Sequence, residues 1–185
     1  ELASMTDEQK MTILNTLWKN DIISHNFEPG STFKPLTVAA ALEENLANDN
    51  STYYCDGKEY IPGLENPIHC NKRSGHGNLT LAQTIMLSCN DAMMQIAALE
   101  GRDIFYNYER NFGIGIKTGI DLPGEQSGQI IAKDRLNASE LATSSFGQSV
   151  TVTMLQMAAA YSSIVNGGYY YQPHVVKEII NENGA

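Results

Sequence analysis

A serine and a lysine stand three residues apart at Ser31 and Lys34, directly after Glu28-Pro29-Gly30. If a helix begins at Ser31, both side chains lie on one face a turn apart, with the amine against the hydroxyl. A serine hydroxyl is a weak nucleophile until a neighbour accepts its proton, and a lysine does so only when burial depresses its pKa. The pair therefore suggests a nucleophile with its own base. The alternative is a capped helix that carries a surface lysine, because Ser-x-x-Lys often occurs by chance.

A second polar group is the triplet Ser88-Cys89-Asn90, which interrupts a helical stretch. Residues two apart in an extended or turn-like segment project to the same side. We therefore expect the Ser88 hydroxyl and the Asn90 amide to face Lys34 together, while Cys89 points the opposite way. Three residues alone are a weak signal.

The three cysteines, Cys55, Cys70 and Cys89, are too few for a disulfide scaffold and odd in number. Together with the glycine-flanked His76 they offer three thiolates and one imidazole, the donor set of a closed, structural zinc site. His69 is a possible substitute ligand, ranked below His76 because its neighbour Cys70 makes it sterically awkward. The alternatives are a Cys55 to Cys70 disulfide with Cys89 buried, or three ordinary buried thiols.

Helices are predicted to position these groups. Residues 6–20 have apolar side chains at three- and four-residue spacing after a Thr-x-x-Gln opening, which is typical of a capped amphipathic helix. Residues 31–46 are rich in Ala and Leu, the composition of a helix that runs through the core. Further helices are expected at 79–100 in two pieces, at 103–112, and at 151–166 before a glycine pair.

The remaining segments are predicted to be less regular. Turn formers without periodicity make residues 47–78 a long irregular excursion, and residues 113–129 are punctuated by glycines. Residues 169–180 are predicted to form a pair of strands with their turn at Gln172-Pro173. Asp121 and Glu125 are interpreted as loop residues, since Pro123-Gly124 between them is typical of a turn.

Composition narrows the functional classes. With 185 residues and 42% hydrophobic content the chain is expected to form one domain, residues 1–185. A net charge of -9 argues against nucleic-acid binding, which depends on clustered Lys and Arg. No apolar stretch of about 18 residues is present in the sequence, so a membrane anchor, if there is one, is expected upstream in a parent protein.

Several longer motifs occur together in this order and resemble the class B penicillin-binding proteins, members of the penicillin-recognising serine transferases, over nearly the whole chain. They are Trp18-Lys19-Asn20, Phe27-Glu28-Pro29-Gly30-Ser31-Thr32-Phe33-Lys34, Gly75-His76-Gly77, Ser88-Cys89-Asn90, Lys117-Thr118-Gly119-Ile120-Asp121-Leu122-Pro123-Gly124-Glu125 and Ser145-Phe146-Gly147-Gln148.

The resemblance implies an α+β fold of the transpeptidase and β-lactamase type, an antiparallel sheet flanked by helices. It implies that Ser31 is the acylated nucleophile, that Lys34 is its base, and that Ser88 and Asn90 complete the proton network and hold the substrate amide. The backbone N–H of Ser31 would form half of the oxyanion hole. The substrate would be the D-Ala-D-Ala end of a peptidoglycan stem peptide, and β-lactam antibiotics would acylate the same serine.

The resemblance also implies a cofactor and a place of action. Some class B enzymes of the elongation and sporulation type carry a metal at positions similar to Cys55, Cys70, His76 and Cys89, so a structural Zn²⁺ is expected that braces the catalytic wall from behind. The parent would be anchored at the extracytoplasmic face of the bacterial membrane, with a cell-wall glycosyltransferase as partner.

One departure from the family stands out. The third family motif, Lys-Thr/Ser-Gly on a strand lining the active site, is expected after residues 175–180, and the sequence ends at Ala185. Lys117-Thr118-Gly119 belongs instead to a loop before Asp121. The domain is therefore expected to be truncated before that strand. Two alternatives remain: a serine β-lactamase or β-lactam-sensing receptor, for which no acidic residue is placed to speed deacylation, and a zinc-stabilised binding module without turnover.

Overall fold

A computed structural model describes residues 5–180 and shows the mixed α+β fold that was expected. Its elements in chain order are α1 (Asp7–Leu17), α2 (Asp21–Ser24), α3 (Lys34–Glu43), β1 (Thr52–Cys55), β2 (Lys58–Glu59), β3 (Ile68–His69), β4 (Gly77–Thr80), α4 (Leu81–Met86), α5 (Asn90–Asn111), α6 (Ala138–Ser144) and α7 (Met154–Val165). A 3₁₀ turn at Gly30–Phe33 leads directly into α3.

Helix α3 is the central element, as its Ala-rich sequence predicts. It packs chiefly against α5, and also against α7. Leu36, Ala40 and Ala41 on its buried side are almost fully shielded from solvent. Pro35 is tolerated because it lies in the first turn, where backbone N–H groups have no partner inside the helix. The core therefore holds the residues that follow Ser31 rigidly in place.

The segment 47–78 is more regular than predicted. Strand β1 pairs antiparallel with β4, and β2 pairs antiparallel with β3, so the described sheet consists of two separate two-stranded ribbons. These strands are two to four residues long, too short for an alternating pattern to reveal them. Their register places Cys55 opposite Gly77, which brings the neighbouring His76 beside a cysteine 21 positions earlier.

Several helix starts follow local capping. Thr80 with Gln83, Asn137 with Glu140, and Thr153 with Gln156 form reciprocal capping boxes at α4, α6 and α7. Helix α6 was not predicted. Helix α5 joins the second piece of the predicted helix 79–100 to the predicted helix 103–112, with a kink at Gly101, whose φ is 68°.

At the ends of the described chain one prediction is confirmed and one is wrong. Helix α1 forms with the predicted capping box of Thr6 and Gln9, although none of its residues is buried and Leu17 is 73% exposed. Residues 169–180 are irregular and do not form the predicted strand pair. The N–H groups of Val175 and Val176 donate to the Asp121 carboxylate instead of to a second strand. A strand needs a partner edge, and within the described chain residues 169–180 pair with none. Between residues 5 and 180, no helix has the length and apolar character needed to cross a bilayer.

Candidate active site and metal centre

Ser31, Lys34, Ser88 and Asn90 come together in one hydrogen-bonded group, although 54 positions separate Lys34 from Ser88. The Lys34 amine donates to Ser88 Oγ over 2.8 Å, to the Ser88 carbonyl over 2.7 Å and to Asn90 Oδ1 over 2.6 Å. Ser88 Oγ in turn donates to Ser31 Oγ over 3.0 Å. The lysine therefore reaches Ser31 through the Ser88 hydroxyl.

The expected direct contact between Lys34 and Ser31 is thus replaced by a bridge. Within the described residues, the hydrogen bonds of the Lys34 amine go to Ser88 and Asn90. The amine has three protons and meets three oxygens, so the charged form is fully satisfied. Proton transfer from Ser31 to Lys34 would require the Ser88 hydroxyl to reverse its hydrogen bonds.

Ser88 occupies its position at a conformational cost. It follows the end of α4 and has a φ of 51°, in the left-handed region where glycine is preferred. Cys89 then returns to an extended conformation and caps α5, with its sulfur accepting from the Ala92 amide. This reversal points Ser88 and Asn90 toward Lys34 and buries Cys89 on the other side, as the triplet predicted.

The turn that carries Ser31 is held by an antiparallel strap, residues 147–152. The Gly30 amide donates to the Gly147 carbonyl over 2.9 Å, and Phe27 and Val152 exchange two backbone hydrogen bonds. The Ser149 amide donates to the Glu28 carboxylate over 3.1 Å. Sequence analysis assigned the strap no role, although Gly147 lies in one of the quoted family motifs.

Lys34 is charged yet 2% exposed, and its surroundings shift its proton affinity. Burial lowers the pKa of Lys34 to about 8, and the nearby Cys70 and Cys89 sulfur groups shift it in the opposite direction by a smaller amount. Ser31 itself is exposed at the surface. A buried amine with a depressed pKa linked to an exposed hydroxyl is the arrangement of an activated serine nucleophile.

The four expected metal ligands also converge, with Cys89 facing away from Lys34 toward the other three. Their ligand atoms all lie within 4.8 Å of one another. His76 Nδ1 is 3.5 Å from Cys55 Sγ and 3.7 Å from Cys70 Sγ, and Cys70 Sγ is 3.8 Å from Cys89 Sγ. All three cysteines are buried free thiols.

These distances fit a tetrahedral ion. Zinc binds thiolate at about 2.3 Å, so the edge of a tetrahedron between two sulfurs is about 3.8 Å, and an edge between sulfur and nitrogen is slightly shorter. The donor set of three sulfurs and one imidazole nitrogen is one that zinc prefers. The donor types and these three distances are compatible with a bound zinc ion, and the four ligand atoms all lie within 4.8 Å of one another.

The pKa values of the four clustered side chains shift in different directions. Burial raises the pKa values of the Cys55 and Cys89 thiols. Burial also raises the pKa of Cys70, but hydrogen bonds from the backbone of Asp91, Lys72 and Asn90 outweigh this effect, so the pKa of Cys70 is lowered. Burial and the charge of Lys72 lower the pKa of His76, which favours the neutral imidazole that a metal needs.

The other sequence candidates lie elsewhere. His69 is exposed on β3 and is not part of the cysteine cluster. Lys117-Thr118-Gly119 lies in a loop, where Thr118 and Gly119 donate to the Glu125 carboxylate, so it is not the strand motif. This outcome agrees with its interpretation as a loop sequence.

Comparison with known proteins identifies the family. The model of the penicillin binding protein transpeptidase domain matches residues 2–184. Stage V sporulation protein D of Bacillus subtilis is 42% identical over 84% of this chain and 24% of its own length. Peptidoglycan D,D-transpeptidase FtsI of Escherichia coli is 34% identical over 86% of this chain and 26% of its own length.

Solved structures agree with the sequence comparisons. A peptidoglycan synthetase from Bifidobacterium adolescentis matches with a TM-score of 0.85 and 28% identity, over 97% of this chain and 32% of its own. Penicillin binding protein 3 of Mycobacterium tuberculosis matches with a TM-score of 0.83 and 28% identity, over 90% of this chain and 37% of its own. The chain spans about a quarter of the length of the curated relatives quoted above. It belongs to the family of penicillin-binding protein transpeptidase domains, in the class B group.

Proposed function

We propose that this chain is the acyl-transfer part of a peptidoglycan D,D-transpeptidase. Ser31 Oγ attacks the carbonyl carbon of the D-Ala-D-Ala peptide bond, the terminal D-Ala leaves with a proton on its amine, and an ester forms on Ser31. An amine of a neighbouring stem peptide then attacks that ester, forms the cross-link and returns the serine. The observation that carries the proposal is the chain of hydrogen bonds from Lys34 through Ser88 to Ser31.

In this mechanism each side chain has one task. Neutral Lys34 accepts the proton of Ser31 by way of the Ser88 hydroxyl, which gives one proton and takes another. Asn90 fixes the lysine through its Oδ1 and presents its amide to the substrate. The Ser31 amide lies at the start of a 3₁₀ turn, where N–H groups have no partner inside the helix, and supplies one oxyanion donor.

The proposed partners follow from the family. Penicillin binding protein 3 of Mycobacterium tuberculosis has been solved in complex with aztreonam and with ampicillin. We propose that β-lactams acylate Ser31 in the same way that the stem peptide does. The finer proposal is that the parent protein acts at the outer face of the bacterial membrane beside a glycosyltransferase.

Labelling with a fluorescent penicillin tests the function. We expect a covalent adduct on Ser31 that persists for many turnover times of a β-lactamase, loss of labelling in Ser31→Ala, and full labelling in the exposed control Ser74→Ala. Rapid release of the label would identify a β-lactamase instead. The Lys-Thr/Ser-Gly strand beyond residue 185 stays a prediction, so the same labelling is measured on a longer chain that contains it. Absence of an adduct in both chains rejects the acyl-transfer proposal.

We propose in addition that Zn²⁺ binds Cys55, Cys70, His76 and Cys89. The support is the approach of the four ligand atoms to within 4.8 Å of one another and the burial of the three cysteines. Bound zinc would cross-link the two ribbons to the start of α5 and take no part in proton transfer. Native mass spectrometry is expected to show one zinc per chain, lost in Cys70→Ser and retained in His69→Ala. A metal-free chain purified with zinc present, or a Cys55 to Cys70 disulfide, would contradict the proposal.

A further inference from the structure

Two glutamates lie in the core behind α3 without partners for their charge. Glu100 and Glu109 are 4% and 3% exposed. Both carboxylate oxygens of Glu100 and Oε2 of Glu109 are buried without a hydrogen-bond partner in the described structure. A buried carboxylate without compensation is far too costly to remain ionised, so something must neutralise this pair.

The two side chains face one small enclosed space. A cavity of about 10 Å³, room for roughly one water molecule, lies between α3 and α5. Both glutamates line it, and most of the other lining residues are apolar: Phe33, Leu36, Thr37, Ala40, Phe105, Tyr108 and Phe112. Calcium and magnesium need about six oxygen ligands, which this lining does not offer. The apolar wall favours protons over a metal ion as the neutralising species.

The charged and titratable neighbours do not neutralise the pair. Arg110 is the nearest base along α5, and its guanidinium donates to the Gly115 carbonyl. Arg102, beyond the kink, pairs with the exposed Asp103. Tyr108 donates to Glu44 at the end of α3, so that phenol is already engaged.

Two further titratable groups lie on neighbouring elements. Glu43 on α3 adds negative charge close to Tyr108, and Tyr53 on β1 lies within electrostatic reach of Glu100. Neither brings a positive charge to the cavity.

We propose that Glu100 and Glu109 form a buried proton-binding site, an acid pair that is protonated in the folded chain and makes folding depend on pH. Unlike the zinc cluster and the serine network, this site is not part of the transpeptidase proposal. It lies behind the helix that carries Lys34, and Phe33, the residue before Lys34, forms part of its wall.

The expected proton affinities agree with this geometry. Burial, with a smaller contribution from Glu109, raises the pKa of Glu100 to about 9. Burial raises the pKa of Glu109 to about 8 against the attraction of Arg110. In the unfolded chain both acids ionise near their ordinary pKa of about 4.3. The folded state therefore binds more protons than the unfolded state between about pH 4.5 and pH 8 to 9, and stability falls as the pH rises through that window.

The test is the pH dependence of unfolding for the zinc-saturated chain. Each proton released on unfolding raises the unfolding constant about tenfold per pH unit. On unfolding at pH 7, we expect the wild type to release about two protons more than the double variant Glu100→Gln/Glu109→Gln. It should release about one proton more than either single variant. The exposed control Glu65→Gln should match the wild type. Equal slopes in the wild type and the double variant would overturn the proposal.

Two measurements cover the remaining outcomes. If the glutamine variants do not fold, infrared spectroscopy of the wild type at pH 7 should show the carbonyl band of a protonated carboxylic acid, and absence of that band rejects the proposal. If sodium or calcium stabilises the wild type at pH 8 but not the double variant, the cavity is a cation site and the proton assignment is wrong. No cation-specific stabilisation is expected.

Discussion

The exchange of one proton between Lys34 and its surroundings controls the reaction that we propose. Burial lowers the pKa of Lys34 to about 8 and so makes the neutral amine accessible near physiological pH. Because only the neutral amine accepts a proton, the rate of Ser31 acylation is expected to rise with pH and level off above about pH 8. Stopped-flow labelling with a fluorescent penicillin between pH 6 and 10 measures this profile.

The variant that tests the role of Lys34 as the base is Lys34→Arg, because arginine keeps the positive charge but does not lose its proton at these pH values. Acylation is expected to fall about 100-fold or more, the usual contribution of a positioned base. A pH-independent rate in the wild type, or near-normal acylation in Lys34→Arg, would show that the base is another group.

Ser88 illustrates a residue kept at the expense of stability. Its φ of 51° suits glycine, and a residue with a side chain there costs about 1 kcal/mol or more. We expect Ser88→Gly to leave the fold intact and to change its stability by about 1 kcal/mol at most, because relief of the backbone strain is offset by loss of the hydrogen bond that Lys34 donates to Ser88 Oγ. Acylation of Ser31 should fall at least tenfold because the hydroxyl bridge is lost. Chemical denaturation and penicillin labelling measure the two effects.

Asn45→Gly is the control for this prediction. Asn45 has a φ of 57° and lies just beyond α3, away from the serine network. Its replacement should change stability slightly and leave acylation unchanged. If Ser88→Gly also leaves acylation unchanged, the proton path does not use Ser88.

At the scale of elements, the strap 147–152 positions the turn that carries Ser31. Gly147 has a φ of 78°, and a Cβ there would lie 2.2 Å from the Gly30 carbonyl oxygen, so the two backbones would have to separate. We expect Gly147→Ala to lower the free energy of unfolding by about 1–3 kcal/mol and to slow acylation. Denaturant unfolding and penicillin labelling report these changes.

Gly63→Ala separates the conformational cost of a positive φ from the steric contact with Gly30. Gly63 has a similar φ of 89°, but a Cβ there meets nothing within 4 Å. This control should show the conformational cost alone and normal acylation. If both variants behave alike, contact between the strap and Gly30 has no part in placing Ser31.

The elements also show where sequence reasoning succeeds and where it does not. Helix α3 and the break at Ser88-Cys89-Asn90 were predictable because composition and local turn chemistry determine them. The ribbons were not, since strands of two to four residues show no periodicity. The strand pair at 169–180 failed because β structure depends on a partner edge, which a local pattern does not reveal.

Some features of the sites were likewise predictable from the sequence, and others were not. Residue type and family motif predicted that Ser31 and Lys34 belong to one site and that Cys55 and His76 belong to another, but they wrongly predicted direct contact between Ser31 and Lys34. The hydroxyl bridge through Ser88 and the burial of Glu100 required tertiary packing, because local sequence shows neither the partner of a hydroxyl nor the burial of a glutamate at the end of a predicted helix.

At the scale of the whole molecule, the proposed zinc couples the loop region to the active site. Cys89 lies between Ser88 and Asn90, so the two sites share one stretch of backbone. Structural zinc contributes on the order of 10 kcal/mol, comparable with the entire stability of a domain at about 5–15 kcal/mol. Removing the metal is therefore expected to lower the melting temperature and to loosen Ser88 and Asn90 together with residues 55–77.

Hydrogen exchange with and without a chelator, below the melting temperature, locates this change. Exchange should accelerate at residues 55–77 and 88–92, while α7 stays protected because it contacts α2 and α3 rather than the ribbons. His76→Ala should reproduce the chelated pattern, whereas His69→Ala, on the exposed side of β3, should behave as the wild type with metal. Uniform acceleration over the chain would mean that the metal supports global stability only. Unchanged exchange would mean that the four ligands hold no metal, and penicillin labelling under the same conditions would then be unaffected by the chelator.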